Sequence, residues 1–441
     1  MFRPRWTDTD REIARLAVPA FAALVSEPLF LLADTAVVGH LGTAPLAGLT
    51  IASTILLTVV GLAIFLAYGT TASVARHLGA DDLRGAITTG IAGGWLALLI
   101  GVGSALVLVL AGPGVIGWFG AGAPVRTEAD HYLRVAAYGL PAMLMVLAAT
   151  GILRGLQDTR TPLVVAVTAN LANIALNVTL VYGAGLGIAG SALGTVVAQL
   201  GSALALVVVI ARAARRHEAA LVPHWSAVAE AARVGVPLII RTFTLRAALL
   251  LGTYVASTMP DASIAAHQIT ATVVNTLAFA LDAIAIAGQA MTGRSLGARD
   301  VPGVRRATAR MLGWAVWGGT AGTLGLMLVA YWLPLVFTGD QAVRAAAFPA
   351  LVVVALIQPV SGVVFVLDGV LIGAGDGSYL ARAGVVTFVV YAPLALLVLV
   401  LGAGLGWLWA AYAGFILARM VTLVRRERSQ AWLVTGAPAR A

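Results

Sequence analysis

Long apolar runs recur along this chain at roughly 13–38, 46–70, 86–111, 131–151, 162–183, 187–211, 234–256, 264–290, 307–331, 345–369, 379–402 and 404–424, separated by short polar breaks. A helix needs about 20 apolar residues to cross a hydrocarbon layer about 30 Å thick, and each run reaches that length. The pattern predicts an all-α, polytopic membrane protein with twelve transmembrane helices. The stretch ahead of the first run, Met1 to Glu12, is polar and carries arginine. It does not read as a short cleavable hydrophobic core, so the first run is expected to be retained.

Composition strengthens this reading. Of 441 residues, 60% are hydrophobic and 11% charged, whereas soluble chains carry about 25% charged residues. The twelve spans use up the length, which argues against an enzyme with a globular head. The absence of cysteine excludes disulfides, thiolate metal sites and cysteine nucleophiles. The six histidines are scattered without metal-ligand spacing, so no metal site and no cofactor are expected.

The net charge is +9, all 28 cations are arginine, and their placement reads as a topology signal instead of a nucleic-acid footprint. Arg76, Arg84, Arg154, Arg160, Arg212, Arg215, Arg216, Arg294, Arg305, Arg306 and Arg425 fall on one side of the predicted spans; the opposite connectors hold Arg126 and Arg344. By the positive-inside rule both termini are cytoplasmic, as an even number of spans requires.

The chain also matches itself at an offset of 218. Arg15 and Pro19 align with Arg233 and Pro237, and Pro141 with Pro359. The run Arg76 to Ala80 aligns with Arg294 to Ala298, and Leu153, Gly155 and Asp158 with Leu371, Gly373 and Asp376. Two six-helix lobes follow, over 1–211 and 234–424, with a cytoplasmic linker over 212–233 and a cytoplasmic tail over 425–441. An even number of helices per repeat gives both lobes the same orientation, related by a pseudo-two-fold axis along the membrane normal. Such repeats favour alternating access over a channel, which usually places its repeats around a pore by oligomerising.

Ionisable groups within a span cost about 2.5–3.5 kcal/mol each on insertion scales, so each needs a reason. The first span carries Glu27 and Asp34, seven residues apart and near one helical face, with Pro28 between them. Neither has an evident intramembrane cation partner. A carboxyl poised between protonated and ionised states suits a proton-coupled transporter; a permanently protonated carboxyl bonded to a neighbour is the plainer alternative. Asn170, Asn173 and Asn177 on the fifth span, with Thr195 and Gln199 on the sixth, form either a polar chamber or ordinary interhelical hydrogen bonds. In the second half, Arg241, Arg246, Asp282 and Asp368 read either as a neutralising ion-pair network or as a proton relay or anion-attracting wall.

The segment Leu32 to Gly42, LADTAVVGHLG, resembles the first-helix motif of the multidrug and toxic compound extrusion (MATE) family, in particular its DinF-like branch. Ala265 to Ile269 and Leu371 to Asp376 resemble the second-half motifs, and the likeness runs in order along the whole chain. The resemblance implies an exporter of organic, often cationic or amphipathic compounds, driven by inward proton or sodium flow, with Asp34 as the protonation site. It also implies a polar site in which Asn173 and Thr195 take part. Many relatives carry an aspartate where this chain has Asn177; an amide cannot titrate, which weighs against a two-carboxylate sodium site. Glu27 is then the candidate second carboxyl.

The leading expectation is a proton-coupled multidrug antiporter of the cell's inner membrane, a monomer working on small molecules among lipids, with no nucleic-acid partner. The alternatives are a sodium-coupled antiporter and a flippase or exporter for a lipid-linked or anionic metabolite. Arg241 and Arg246 separate these: paired with Asp282 and Asp368 they are structural, and free they attract anions. The topology is directly testable, because the native chain lacks cysteine. A cysteine placed at Ala184 or Asp340 is expected to react with an impermeant maleimide from outside the cell; labelling from the cytoplasm would overturn the assignment.

Overall fold

The computed structural model describes residues 6–437, and among these no strand occurs. The helices are α1 (Asp8–Gly39), α2 (Thr43–Leu62), α3 (Phe65–Gly79), α4 (Leu83–Gly117), α5 (Ala123–Ala137), α6 (Leu140–Gly155) and α7 (Arg160–Val178). They continue with α8 (Gly187–Arg216), α9 (Trp225–Ser257), α10 (Asp261–Gly297), α11 (Val301–Val329), α12 (Gln341–Gly373), α13 (Gly377–Val400) and α14 (Leu405–Ser429). Eleven segments are long and apolar enough to cross a membrane, and α5 with α6 makes a twelfth, bent by 52°. Leu110, Leu324 and Val400 are among the large apolar side chains left on the surface, as a hydrocarbon solvent permits.

The helices overrun the predicted spans at both ends. Where a linker over 212–233 was expected, α8 continues to Arg216 and α9 begins at Trp225; α14 continues to Ser429, into the expected tail. Polar helical turns cost nothing beyond the hydrocarbon, so hydropathy marks the membrane layer and not the helix ends.

The offset of 218 reappears in three dimensions. The segment Thr43–Gly79, α2 joined to α3, is 37 residues long, as is its counterpart α10. Asp82 accepts a hydrogen bond from the Gly85 amide at 2.8 Å and so caps α4; Asp300 does the same for Gly303 at 2.8 Å and caps α11. The residues just before, Asp81 and Arg299, take left-handed conformations at φ 57° and 58°. Where α4 crosses α6, a Cβ on Gly101 would lie 2.6 Å from the Pro141 Cα, and one on Gly319 would lie 2.6 Å from the Pro359 Cα where α11 crosses α12. The copies part at the fourth span: α6 starts afresh behind Gly139 with Pro141 in its first turn, whereas α12 runs unbroken through Pro359. Gly139 corresponds to Ile357, so the weaker helix former stands where the helix breaks.

Two compact units divide the chain. In the first, Val18–Gly235, α6 packs on α3 and α4, α5 on α2, and α7 on α8. In the second, which includes Val236–Gly436, α12 packs on α10, α11 and α14, and α13 on α14. The second also takes the residues up to Ala17, which the sequence reading had assigned to the first lobe. The cause is polar. Thr7 and Asp10 form a reciprocal capping box at the start of α1, and Asp10, buried, accepts from Arg310 at 2.6 and 2.8 Å and from the Trp314 indole at 2.8 Å. Glu12 pairs with Arg294 at 2.8 Å, and Trp6 stands edge-on to Trp314.

The α11–α12 crossing gives a prediction. Gly319→Val places side-chain atoms against the Pro359 backbone and should lower stability by about 1–3 kcal/mol, the usual range for overpacking. A fall in melting temperature in detergent checks it; an unchanged melting temperature would mean that the helices do not cross this closely.

Candidate functional site in the first lobe

Asp34 sits in α1 with only 4% of its surface exposed. Its Oδ1 accepts two hydrogen bonds, from Asn177 Nδ2 on α7 at 2.7 Å and from the Ser191 hydroxyl on α8 at 2.5 Å. Among the described residues no protein donor reaches Oδ2 and no cation pairs with the carboxyl. Tyr132 of α5, buried, lies beside Ser191 and Thr195 and close enough to feel the Asp34 charge. Asn173 Nδ2 donates to Thr195 Oγ1 at 3.1 Å. The amide oxygens of Asn173 and Asn177 are buried and have no donor. The cluster holds one acid and no base, so it has a place for one proton and acceptors left over.

Close helix packing brings these groups together. Gly190 and Gly194, four apart on α8, let α7 approach: a Cβ on Gly190 would lie 2.9 Å from the Leu180 carbonyl carbon, and one on Gly194 2.1 Å from Asn177 Oδ1. Just beyond Asn177 the helix widens into a π-turn, Thr179–Gly183, and Tyr182 donates to the Val37 carbonyl at 2.5 Å. Lower down, Asn170 donates to the Ser26 carbonyl and hydroxyl at 3.2 and 3.3 Å. Thus α7 is tied to α1 at three levels, and Asp34 holds the middle one.

The MatE family model matches residues 19–179 and again 237–397, two segments at the same offset of 218. The chain belongs to the MatE family. It is similar to DETOXIFICATION 44, chloroplastic, of Arabidopsis thaliana, 29% identical over 425 residues that cover 93% of this chain and 80% of that one. It is also similar to DNA damage-inducible protein F of Escherichia coli, 26% identical over 447 residues covering 97% and 94%. Among solved structures, the Vibrio cholerae MATE transporter VcmN shares the fold at a TM-score of 0.87, 20% identity and coverage of 96% and 98%. Members of this family are membrane transporters and not enzymes, and this MATE chain is read accordingly.

Asp34, Asn173, Asn177 and Thr195 come together as the sequence reading had grouped them. Asn170 binds α1 at Ser26, away from Asp34. Glu27 is exposed, about 10 Å along the helix axis from Asp34 and outside its hydrogen-bond cluster. It therefore supplies no second carboxyl there. Tyr132 and Ser191 escaped notice. Ser191 was legible, because it stands four residues before Thr195 and continues that stripe; Tyr132, on a different helix, gave no signal.

In the second lobe of this MATE protein the charge network differs from the expected set. Arg241 and Asp368 form a buried ion pair, with Arg241 Nε 3.2 Å from Oδ1 and Nη2 on Oδ2. The second cation on Asp368 is Arg419 of α14, at 3.3 Å, and Arg419 also feels Asp282. Arg241, Asp368, Arg419, Thr387 and Gly384 line a narrow pocket. Arg246 is no member: it is exposed and makes no ion pair with Asp282 or Asp368. Arg241 turns toward α12 on the packed face of α9, whereas Arg246, five residues on, points to the other face. Arg419 was overlooked because it leads into the arginine-rich end of α14, which reads as a cytoplasmic flank.

Removing Asp368 takes away the carboxylate that Arg241 and Arg419 share. Asp368→Ala should cost about 3–5 kcal/mol, as for other broken buried pairs, read as a large fall in melting temperature or loss of expression. Arg246→Ala should leave the melting temperature near that of the unaltered protein. The opposite ranking would overturn the network as described.

Proposed function

We propose that this MATE transporter exports organic compounds in exchange for protons, with Asp34 as the coupling residue and the two lobes giving alternating access. The observation that carries the reading is the hydrogen-bonding of Asp34: two donors on Oδ1, none on Oδ2, and no cation nearby. A proton arriving at Asp34 takes Oδ2, the oxygen that has no donor to displace. The ionised carboxylate forms charge-assisted bonds to Asn177 and Ser191 and draws α7 and α8 onto α1. Protonation turns these into neutral bonds of roughly half the strength. The middle tie between α1 and α7 loosens, while those at Asn170 and Tyr182 remain.

Antiport follows from linkage. If substrate and proton favour different arrangements of these helices, each weakens the binding of the other by the same factor. Exposing the site first to one side and then to the other converts that antagonism into export. In this reading the chain acts as a monomer in the cell's inner membrane with both termini in the cytoplasm, and its substrates are cationic or amphipathic organic molecules. The unbonded amide oxygens of Asn173 and Asn177 favour sodium as the alternative coupling ion, since hard cations take oxygen ligands.

Asp34→Asn keeps the shape of the carboxyl but carries no titratable proton. In proteoliposomes the variant is expected to fold and insert, and to lose export driven by a pH gradient. Full pH-driven export by the variant would sink the mechanism. Export that responds to an imposed sodium gradient and not to a pH gradient would favour sodium.

A further inference from the structure

Arg246 stands well inside a membrane span without a partner. It lies eleven residues from the end of α9 at Ser257, about 16 Å at 1.5 Å per residue, and farther still from the start at Trp225. Its side chain cannot snorkel to either membrane surface from there. A guanidinium at such a depth costs about 2.5–3.5 kcal/mol to insert even on the milder scales, so its retention calls for an acceptor.

Among the described residues no carboxylate forms an ion pair with Arg246. Arg241, Arg246 and Arg419 are set inside the second lobe's spans against Asp282 and Asp368. Asp368 is held by Arg241 and Arg419, and Arg419 also feels Asp282. Neither carboxylate is paired with Arg246. Around it the same face of α9 exposes Phe243, Leu250 and Tyr254, at 63%, 69% and 58%. These follow helical spacing, so a guanidinium with five N–H donors projects from an apolar and aromatic stripe.

We propose that Arg246 is a substrate-recognition residue for amphipathic organic anions: molecules that place a carboxylate or phosphate on the guanidinium and an apolar or aromatic body along Phe243 and Leu250. The inference rests on the transport reading and narrows it, because it adds anions to the cargo of a protein whose other polar cluster holds a carboxyl. Arginine suits the role by geometry, since its planar fork meets a carboxylate or phosphate with two parallel hydrogen bonds. The stripe supplies apolar contact and selects against small inorganic anions.

The test compares the unaltered protein with Arg246→Gln and Arg246→Lys in proteoliposomes under an imposed pH gradient. Three probes are followed: fluorescein as a free aromatic carboxylate, a fluorescent phosphatidic acid as an anionic lipid, and ethidium as a cation. The unaltered protein is expected to move at least one of the two anions, and which one moves identifies the source of the anionic group. Arg246→Gln should slow that anion about tenfold or more, the scale of one charge-assisted hydrogen bond, while ethidium movement and melting temperature stay near the unaltered values. Arg246→Lys should keep part of the anion rate. Equal anion rates in the glutamine variant, a parallel loss of anion and ethidium movement, or a marked fall in its melting temperature would each overturn the proposal. An unaltered protein that moves ethidium but neither anion overturns it too and leaves the transport reading standing. One that moves no probe at all counts against the transport reading itself.

Discussion

A charge or an unpaired amide inside a membrane span cannot turn to water, so it has to be met by a neighbouring helix or left for a ligand. In this protein three intramembrane charged groups answer the constraint in three ways. Asp368 is met by two guanidinium groups and fastens α9, α12 and α14 together. Asp34 is met on one oxygen only, by an amide and a hydroxyl from α7 and α8. Among the described residues no ion pair meets Arg246. Full neutralisation gives rigidity, half satisfaction leaves a place for a proton, and the unmet cation leaves room for an anion.

The duplicated backbone makes the contrast sharper. Both copies cap their third span with an aspartate, turn through a left-handed residue before it and cross at a glycine packed on a proline. Helix crossings of this kind depend on small residues and backbone approach, which a repeat conserves without regard to charge. The polar residues are free to diverge on that frame. The first lobe sets Asp34 among neutral partners, and the second has a network of opposite charges from which Arg246 stands apart.

The helix ends show the same constraint from its other side. At the start of α1, beyond the apolar run, Asp10 and Glu12 find Arg310 and Arg294, and the first residues of the chain join the second unit. Ion pairs at the membrane margin and the burial of Ile13 and Leu16 accompany that assignment, whereas the chain order alone would have left those residues with the helix that follows them.

Twelve spans and the six-plus-six repeat could be read from the sequence because hydrocarbon imposes a minimum apolar length and because duplication leaves glycine, proline and arginine at a fixed spacing. Asp34 and the asparagines stood out for a related reason: polar residues are rare within spans, so each is conspicuous. What a linear reading could not supply was the partner of each group. Asp34 and Ser191 are 157 residues apart and Arg241 and Asp368 are 127 apart, and only helix packing joins them. Arg241 and Arg246 look equivalent in sequence, yet five residues turn them to opposite faces of α9, and Arg419 takes the place that Arg246 was expected to fill. Side-chain type and depth follow from the sequence; which charge is neutralised follows from the rotation of each helix, and packing against its neighbours sets that rotation.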